Sequence, residues 1–95
     1  MRIGYARVST GDQSLSLQLD ALREFGCERI YKDHGVSALA GYRPGLEKAL
    51  RSLTAGDTLV IWRLDRLGRS LTNLLDTTTA LRNREIGLHS LCEMI

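Results

Sequence analysis

The pattern of apolar and polar positions in the first quarter of the chain predicts a strand followed by a helix. Over Arg2–Val8, β-branched and aromatic residues alternate with small ones, which is typical of a strand. Over residues 13–25, apolar side chains recur at helical spacing, Asp12 or Ser14 is available as a cap, and Gly26 follows as a stop signal. We therefore expect a first strand over residues 2–8 and a first helix over residues 13–25.

The next part of the chain predicts a strand, a loop and a second helix. Residues 27–31 are a candidate for a short strand. Residues 32–42 hold two glycines and no clear period, so we expect a loop there, the kind of segment that often carries function. Pro44 then opens a helix that Gly56 closes, and its apolar residues lie at i, i+3, i+4 and i+7. These residues are Leu46, Ala49, Leu50 and Leu53.

The last part predicts a strand, a helix and a strand. Residues 58–62 are apolar at successive positions, which is typical of a central parallel strand covered on both faces. Leucines mark a third helix over residues 71–81, which ends at Arg82, Arg84 and Gly87, and residues 88–95 are expected as a fourth strand. This order predicts an α/β fold with a mostly parallel sheet of about four strands and helices on both faces.

Composition limits the chain to one small domain. Its 95 residues are 43% hydrophobic and 25% charged, which excludes disorder and leaves no room for a second domain. The densest apolar run, residues 59–62, is too short for a membrane span or a signal peptide, so we expect a cytoplasmic protein. Cys27 and Cys92 are expected as reduced core residues, and His34 and His89 lack metal-ligand spacing. Glycine-rich nucleotide motifs are absent as well, which makes a nucleotide cofactor less favoured.

The charge balance is informative through its arginines. Thirteen basic residues against eleven acidic ones give a net charge of only +2, but every basic residue except Lys32 and Lys48 is an arginine. Arginine pairs with phosphate through a planar fork, so this bias favours a phosphate-bearing ligand. High genomic GC content or thermal adaptation would also explain it.

Two segments follow the predicted strands at the edge where ligands bind. In an open parallel sheet this edge lies outside the carboxyl ends of the strands, so residues 9–11 and 63–69 are the first places to search. Arg7 ends the first strand, and the side chain of Ser9, two residues later, leaves the same face. The first segment therefore combines a hydroxyl with a guanidinium group.

The second segment adds further arginines. Arg63, Asp65, Arg66 and Arg69 crowd into seven residues, and a helix beginning near Asp65 would bring Arg66 and Arg69 to one spot. A hydroxyl that faces several guanidinium groups suits transfer of a phosphoryl group to serine, because the arginines stabilise the charge that builds on the phosphate oxygens. The sequence thus favours phosphate chemistry at Ser9.

Each of these residues also has a structural explanation. A serine before a glycine is more often a turn residue than a nucleophile, and Asp65 is more readily a helix cap or an anchor for an arginine than a general base. Tyr5 and Trp62 are expected in the core, although a tyrosine beside a serine also suits a role in orienting it. Gln13 and Gln18 lie early in the first helix, where plain surface polar groups are also common.

Several ordered motifs together resemble one known family. They occur at matching spacing across almost the whole chain, and they resemble the serine recombinases of the resolvase and DNA invertase group, with the invertase branch the more similar. The motifs are Gly4-Tyr5-Ala6-Arg7-Val8-Ser9-Thr10, Gln13, Leu17-Gln18, Arg43-Pro44-Gly45-Leu46, Gly56-Asp57 and Leu64-Asp65-Arg66-Leu67-Gly68-Arg69.

The resemblance implies site-specific DNA recombination. In this reaction Ser9 would attack the scissile phosphodiester, hold the 5′ phosphate covalently and release a 3′ hydroxyl, and reversal would reseal the DNA. No metal or cofactor is implied, because the covalent link conserves the bond energy. By resemblance, the phosphate-binding residues are Arg7, Arg66 and Arg69, with Asp65 supporting the arginines. The residues that would line the site or contact DNA are Gln18, Arg43, Tyr5 and Gln13.

The resemblance also implies partners and further domains. Its members normally continue into a long dimerisation helix and a helix-turn-helix DNA-binding domain. Residues 1–95 are therefore expected to be an isolated catalytic domain, truncated before both and unable to recombine DNA unaided, with association through residues 88–95. The implied partners are DNA, a homodimer and a synaptic homotetramer of the full-length protein, and no membrane. The implied location is the prokaryotic nucleoid or a mobile element.

Two other functions fit the same residues. A phosphate-ester-binding or phosphatase-like α/β domain would hydrolyse a free phosphate ester, and a catalytically inert DNA-interaction module would do no chemistry. A recombinase is distinguished from both by a covalent DNA adduct that Ser9→Ala abolishes.

Overall fold

Helices and strands alternate along the chain in this computed structural model, which describes residues 1–8, 15–34, 43–64, 67 and 71–92. Each strand except the last is followed by a helix, as the βαβ arrangement requires. The elements in chain order are β1 (Arg2–Val8), α1 (Leu15–Glu24), β2 (Arg29–His34), α2 (Pro44–Ser52), β3 (Thr58–Ile61), α3 (Leu71–Asn83) and β4 (Gly87–Ser90).

The four strands form one parallel sheet in the order β2-β1-β3-β4. β1 lies at the centre, where Tyr5 pairs with Tyr31 of β2 on one side and with Ile61 of β3 on the other. The six residues of β1 after Arg2 are all buried, as a strand covered on both faces requires. The predicted α/β fold with a parallel four-stranded sheet is confirmed.

The sheet separates two clusters of apolar side chains. Because side chains alternate along a strand, Ile3 and Tyr5 point to the face covered by α2 and α3, and Ala6 points to the face covered by α1. The larger cluster lies under α2 and α3, and the smaller one centres on Leu22 of α1 and Val60 of β3. Helices therefore cover both faces, as the strand-helix alternation predicts.

The prediction for β2 is wrong in its bounds. The sequence favours a strand over residues 27–31 and a loop from Lys32, whereas β2 runs over Arg29–His34. Lys32 and Asp33 are poor strand formers, but their backbones pair with Ala6 and Arg7 of β1. Backbone pairing with β1 therefore outweighs the low strand propensity of these residues, and it places the buried carboxylate of Asp33 within the sheet.

The predictions for the ends of β3 and β4 also need correction. β4 stops at Ser90, whereas the sequence predicts a strand over residues 88–95, and Leu91 and Cys92 form a turn.

The burial of two side chains differs from expectation. Cys92 is exposed and Cys27 is half-buried, so the expected burial of both cysteines in the core is wrong for Cys92. Trp62 follows the end of β3 and is half-buried, so its expected place in the core is wrong. The Arg63 guanidinium lies over its ring, 4.7 Å from the ring centroid. Within the described parts of the chain, no helix has the length and apolar character that a bilayer crossing requires.

Candidate active site

Buried polar side chains gather at the edge of the sheet where the strands end. Arg7, Asp33 and Ser90 lie near the carboxyl ends of β1, β2 and β4, Gln18 contacts Arg7, and Arg43 directly precedes α2. They are all the buried polar or charged side chains among the described residues. Burying such groups costs free energy unless they are hydrogen-bonded, so their concentration at the ligand-binding edge marks a candidate site.

Gln18 of α1 clamps the end of β1. Its side chain is fully buried, and its carboxamide bonds to the backbone of Arg7 in both directions. The Arg7 N–H donates to Oε1 at 3.2 Å, and Nε2 donates to the Arg7 carbonyl oxygen at 3.1 Å. A carboxamide has the same donor and acceptor as a peptide group, so Gln18 acts here as one more residue of a neighbouring strand. The interpretation of Gln18 as a plain surface residue is therefore wrong.

Asp33 joins β1, β2 and α2. Tyr5 donates its hydroxyl hydrogen bond to Oδ2 of Asp33 at 2.7 Å. The N–H of Gly45 donates to Oδ1 at 2.8 Å, and the N–H of Leu46 donates to Oδ2 at 3.1 Å. The carboxylate thus satisfies two of the free N–H groups at the start of α2 and lies at the positive end of the helix dipole. One buried charge fixes the angle at which α2 meets the sheet.

The close approach of α2 to β2 requires glycine at position 45. A Cβ atom there would lie 2.3 Å from the carbonyl oxygen of Lys32 and 2.7 Å from its carbonyl carbon. Both atoms belong to backbone that the sheet holds in place, so they cannot move aside. The Pro44-Gly45 pair therefore starts the helix and lets it touch the strand.

Arg43 connects the start of α2 to the segment after β3. It is 7% exposed, and its Nη1 donates to the carbonyl oxygen of Leu67 at 2.6 Å. The Leu67 N–H in turn donates to the carbonyl oxygen of Leu64 at 3.0 Å, which closes a turn. The guanidinium group thereby holds this turn against the amino end of α2.

Among the described residues, two guanidinium groups and one carboxylate act on the Tyr5 hydroxyl at this edge. Burial, followed by the hydrogen bond to Asp33 and its charge, raises the pKa of Tyr5 far above its ordinary value of 10.0, and the charges of Arg43 and Arg7 oppose this shift. Both arginines are therefore close enough to the Tyr5 hydroxyl to affect it. An edge with fixed guanidinium groups favours an anionic ligand such as a phosphate.

The structure places some of the predicted site residues and leaves others untested. It brings Tyr5, Arg7, Gln18 and Arg43 into one connected group. The sequence pattern does not reveal Asp33 as a site residue, because it predicts a loop over residues 32–42. A strand extended to His34 would have placed it beside Arg7 and signalled its role. The predicted site residues that lie outside the described residues are Ser9, Gln13, Asp65, Arg66 and Arg69.

Comparison with known proteins identifies similar sequences over the whole chain. The family model described as "Resolvase, N terminal domain" matches residues 2–95. The transposon Tn552 DNA-invertase BinR of Staphylococcus aureus is 52% identical over 95 residues, which are 100% of this chain and 49% of that protein. The DNA-invertase of Escherichia phage P1 is 50% identical over 95 residues, 100% of this chain and 50% of that protein. The chain therefore spans about half the length of the curated relatives it matches.

Solved structures share the fold. The N-terminal catalytic domain of TP901-1 integrase superposes with a TM-score of 0.85 at 30% sequence identity, over 100% of this chain and 80% of that one. A serine recombinase from Sulfolobus solfataricus has a TM-score of 0.80 at 24% identity, over 99% of this chain and 69% of that one. At that identity the second comparison supports the fold alone.

Proposed function

Because the chain belongs to the family of resolvase N-terminal domains, we propose that it is the catalytic unit of a serine recombinase that cuts and rejoins DNA at specific sites. Two relatives about 50% identical to it are named DNA-invertases, and a solved structure at 30% identity is named a catalytic domain. The observation on this chain that supports the proposal best is Arg7, a guanidinium group 3% exposed at the end of β1, two residues before the candidate nucleophile.

In the proposed reaction, the Ser9 hydroxyl oxygen attacks the scissile phosphorus. A bond from the Ser9 oxygen to phosphorus forms, and the bond from phosphorus to the 3′ oxygen breaks. Ser9 gives up its hydroxyl proton, and the leaving 3′ oxygen takes up one proton to become the 3′ hydroxyl. One phosphodiester replaces another, so the reverse reaction reseals DNA without an added energy source. The 5′ phosphate stays on the protein between the two steps.

The arginines would stabilise the transition state of this exchange. Negative charge rises on the non-bridging oxygens as the serine oxygen approaches, and fixed guanidinium groups offset it without rearranging. We assign this role to Arg7, Arg66 and Arg69, and we assign to Asp65 the support of the arginines. The assembly expected from the resemblance, a homodimer that pairs into a homotetramer, is part of the same proposal.

A chimera tests the proposal most directly. In it, the 95 residues replace the matched half of the transposon Tn552 DNA-invertase, and the chimera is incubated with a supercoiled plasmid that carries the target sites of that invertase. We expect protein joined to DNA 5′ ends with the wild-type sequence and none with Ser9→Ala. Ser16→Ala is the matched control, because Ser16 is an exposed serine of α1 and should leave the adduct unchanged.

Three outcomes would contradict the proposal. Adduct formation that survives Ser9→Ala would show that another group is the nucleophile. Hydrolysis of a free phosphate ester without an adduct would indicate a phosphatase-like domain. DNA binding without either reaction would indicate an inert DNA-interaction module.

A further inference from the structure

We infer that Arg43 is a positioning residue, which holds the turn between Leu64 and Leu67 in place for the reaction and does not itself bind the DNA phosphate. The inference rests on the proposed function, because it concerns how the same site is assembled. It begins from the contact that the guanidinium group makes: Nη1 lies 2.6 Å from the carbonyl oxygen of Leu67, in a side chain that is 7% exposed. A bond from a charged donor at this distance is strong, and it orders the carbonyl that receives it.

The backbone end of Arg43 is fixed by α2 and β2. Arg43 directly precedes Pro44, and the next two residues, Gly45 and Leu46, donate their N–H groups to the Asp33 carboxylate. The start of the helix also lies against the backbone of β2, as the 2.3 Å approach of an added Cβ at Gly45 shows. The side chain of Arg43 therefore extends from a rigid base.

The receiving end is fixed as well. The Leu67 side chain is fully buried in the cluster under α2 and α3, and its N–H closes the turn on Leu64. Arg43 thus joins two fixed points that are 24 residues apart in the chain. A guanidinium group held in this way is ordered before any ligand arrives, and its charge stays beside the Tyr5–Asp33 pair.

The contact between Arg43 and Leu67 affects the proposed phosphate-binding groups. Asp65 and Arg66 lie between Leu64 and Leu67 in the sequence, and Arg69 follows two residues later, so we infer that a shift of the anchored Leu64 and Leu67 backbone would displace the proposed phosphate-binding groups. A displacement of about 1 Å at such groups costs on the order of 10²-fold in rate. If Arg43 instead bound a phosphate directly, its loss would change the salt dependence of DNA affinity. Each neutralised phosphate contributes about 0.9 to the magnitude of the slope of log affinity against log salt concentration.

The chimera described above separates these two roles. The variants are Arg43→Met, which keeps the apolar stem without the donor, and Arg43→Lys, which keeps a charged donor. Arg51→Met is the matched control, since Arg51 lies on α2, the helix that Arg43 directly precedes, with its side chain 80% exposed. For each variant we would measure the rate of adduct formation at saturating DNA, the salt dependence of DNA affinity and the urea midpoint of unfolding.

We expect Arg43→Met to form adduct about 10²-fold more slowly than wild type, with the salt slope unchanged. Arg43→Lys should recover part of this rate, and Arg51→Met should match wild type. A salt slope that falls by about one in Arg43→Met would show a phosphate ligand and overturn the inference. A folded Arg43→Met variant with the wild-type rate would also overturn it, because the contact would then be structural only.

A second measurement keeps the inference separate from the proposed function. If the wild-type chimera forms no adduct, the proposed function fails, but the anchor can still be tested in the 95-residue chain by amide hydrogen exchange. We expect the Leu67 amide to exchange at least tenfold faster in Arg43→Met than in Arg51→Met. Equal exchange rates would show that Arg43 does not hold the turn.

Discussion

Replacing Gln18 with leucine tests how far the end of β1 depends on the side-chain clamp. Leucine has a similar volume, so the exchange removes the two hydrogen bonds to Arg7 and leaves the shape nearly unchanged. Each backbone group that loses its partner in a buried site costs about 1–3 kcal/mol, and the added apolar burial returns about 1–2 kcal/mol. Two such groups cost about 4 kcal/mol at the middle of this range, so the net loss is about 2–3 kcal/mol. That is a large share of the roughly 5–14 kcal/mol expected for a domain of this size.

Urea unfolding provides the measurement. Far-UV circular dichroism follows the whole sheet, and the fluorescence of Trp62, the one tryptophan in the chain, follows the edge where the strands end. Leu17→Gln is the matched control on the same helix, since Leu17 is 63% exposed and should change stability by less than about 0.5 kcal/mol. A Gln18→Leu protein as stable as this control would refute the clamp.

Two further predictions concern the groups around Asp33. Gly45→Ala should lower the free energy of unfolding by more than about 2 kcal/mol in urea titrations, because the new Cβ meets the Lys32 backbone. Gly56→Ala is the control: it has φ +94° with open space around it and should cost about 1 kcal/mol. Equal costs for the two variants would contradict the contact at Gly45. Burial and the bond to Asp33 raise the pKa of Tyr5, so the folded protein keeps a proton that the unfolded chain loses near pH 10. The free energy of unfolding should therefore fall above pH 10 by up to about 1.4 kcal/mol per pH unit. Urea titrations from about pH 9 to 11.5 measure this slope, and Tyr5→Phe should lack it.

Local sequence patterns predicted the elements that carry strong periodicity. β1 has the expected bounds, Arg2–Val8, and the stripe of α2 buries Leu46 and Ala49 as its spacing requires. The helix ends at Ser52, earlier than the stop predicted at Gly56, and Leu53, which directly follows it in an extended conformation, is buried as well. In both cases one segment contains the signal: alternation across a pleat, or apolar residues on one helix face. The parallel order follows from the same signals, because each helix between strands is a crossover connection.

The polar part of the site depended on contacts that no local pattern contains. Asp33 is in β2 because its backbone pairs with β1, and it is buried because Tyr5 and the start of α2 supply its hydrogen bonds. Gln18 looks like any polar residue of an amphipathic helix until the end of β1 is placed beside it. Family resemblance pointed to Gln18 and Arg43 as residues of the site, but only the fold shows that both bond to backbone atoms.

These contacts separate the groups that hold the edge together from the groups proposed to react. Gln18 bonds to the backbone of β1, and Arg43 bonds to the backbone after β3, so each fixes a segment that leads into a proposed reacting residue. Loss of either clamp should therefore lower stability and reaction rate together. Ser9 is proposed to act only on the phosphate, so Ser9→Ala should abolish the adduct and leave the free energy of unfolding within about 0.5 kcal/mol of wild type in urea titrations. A large loss of stability in Ser9→Ala would mean that its hydroxyl also supports the fold, and the separation of roles would fail.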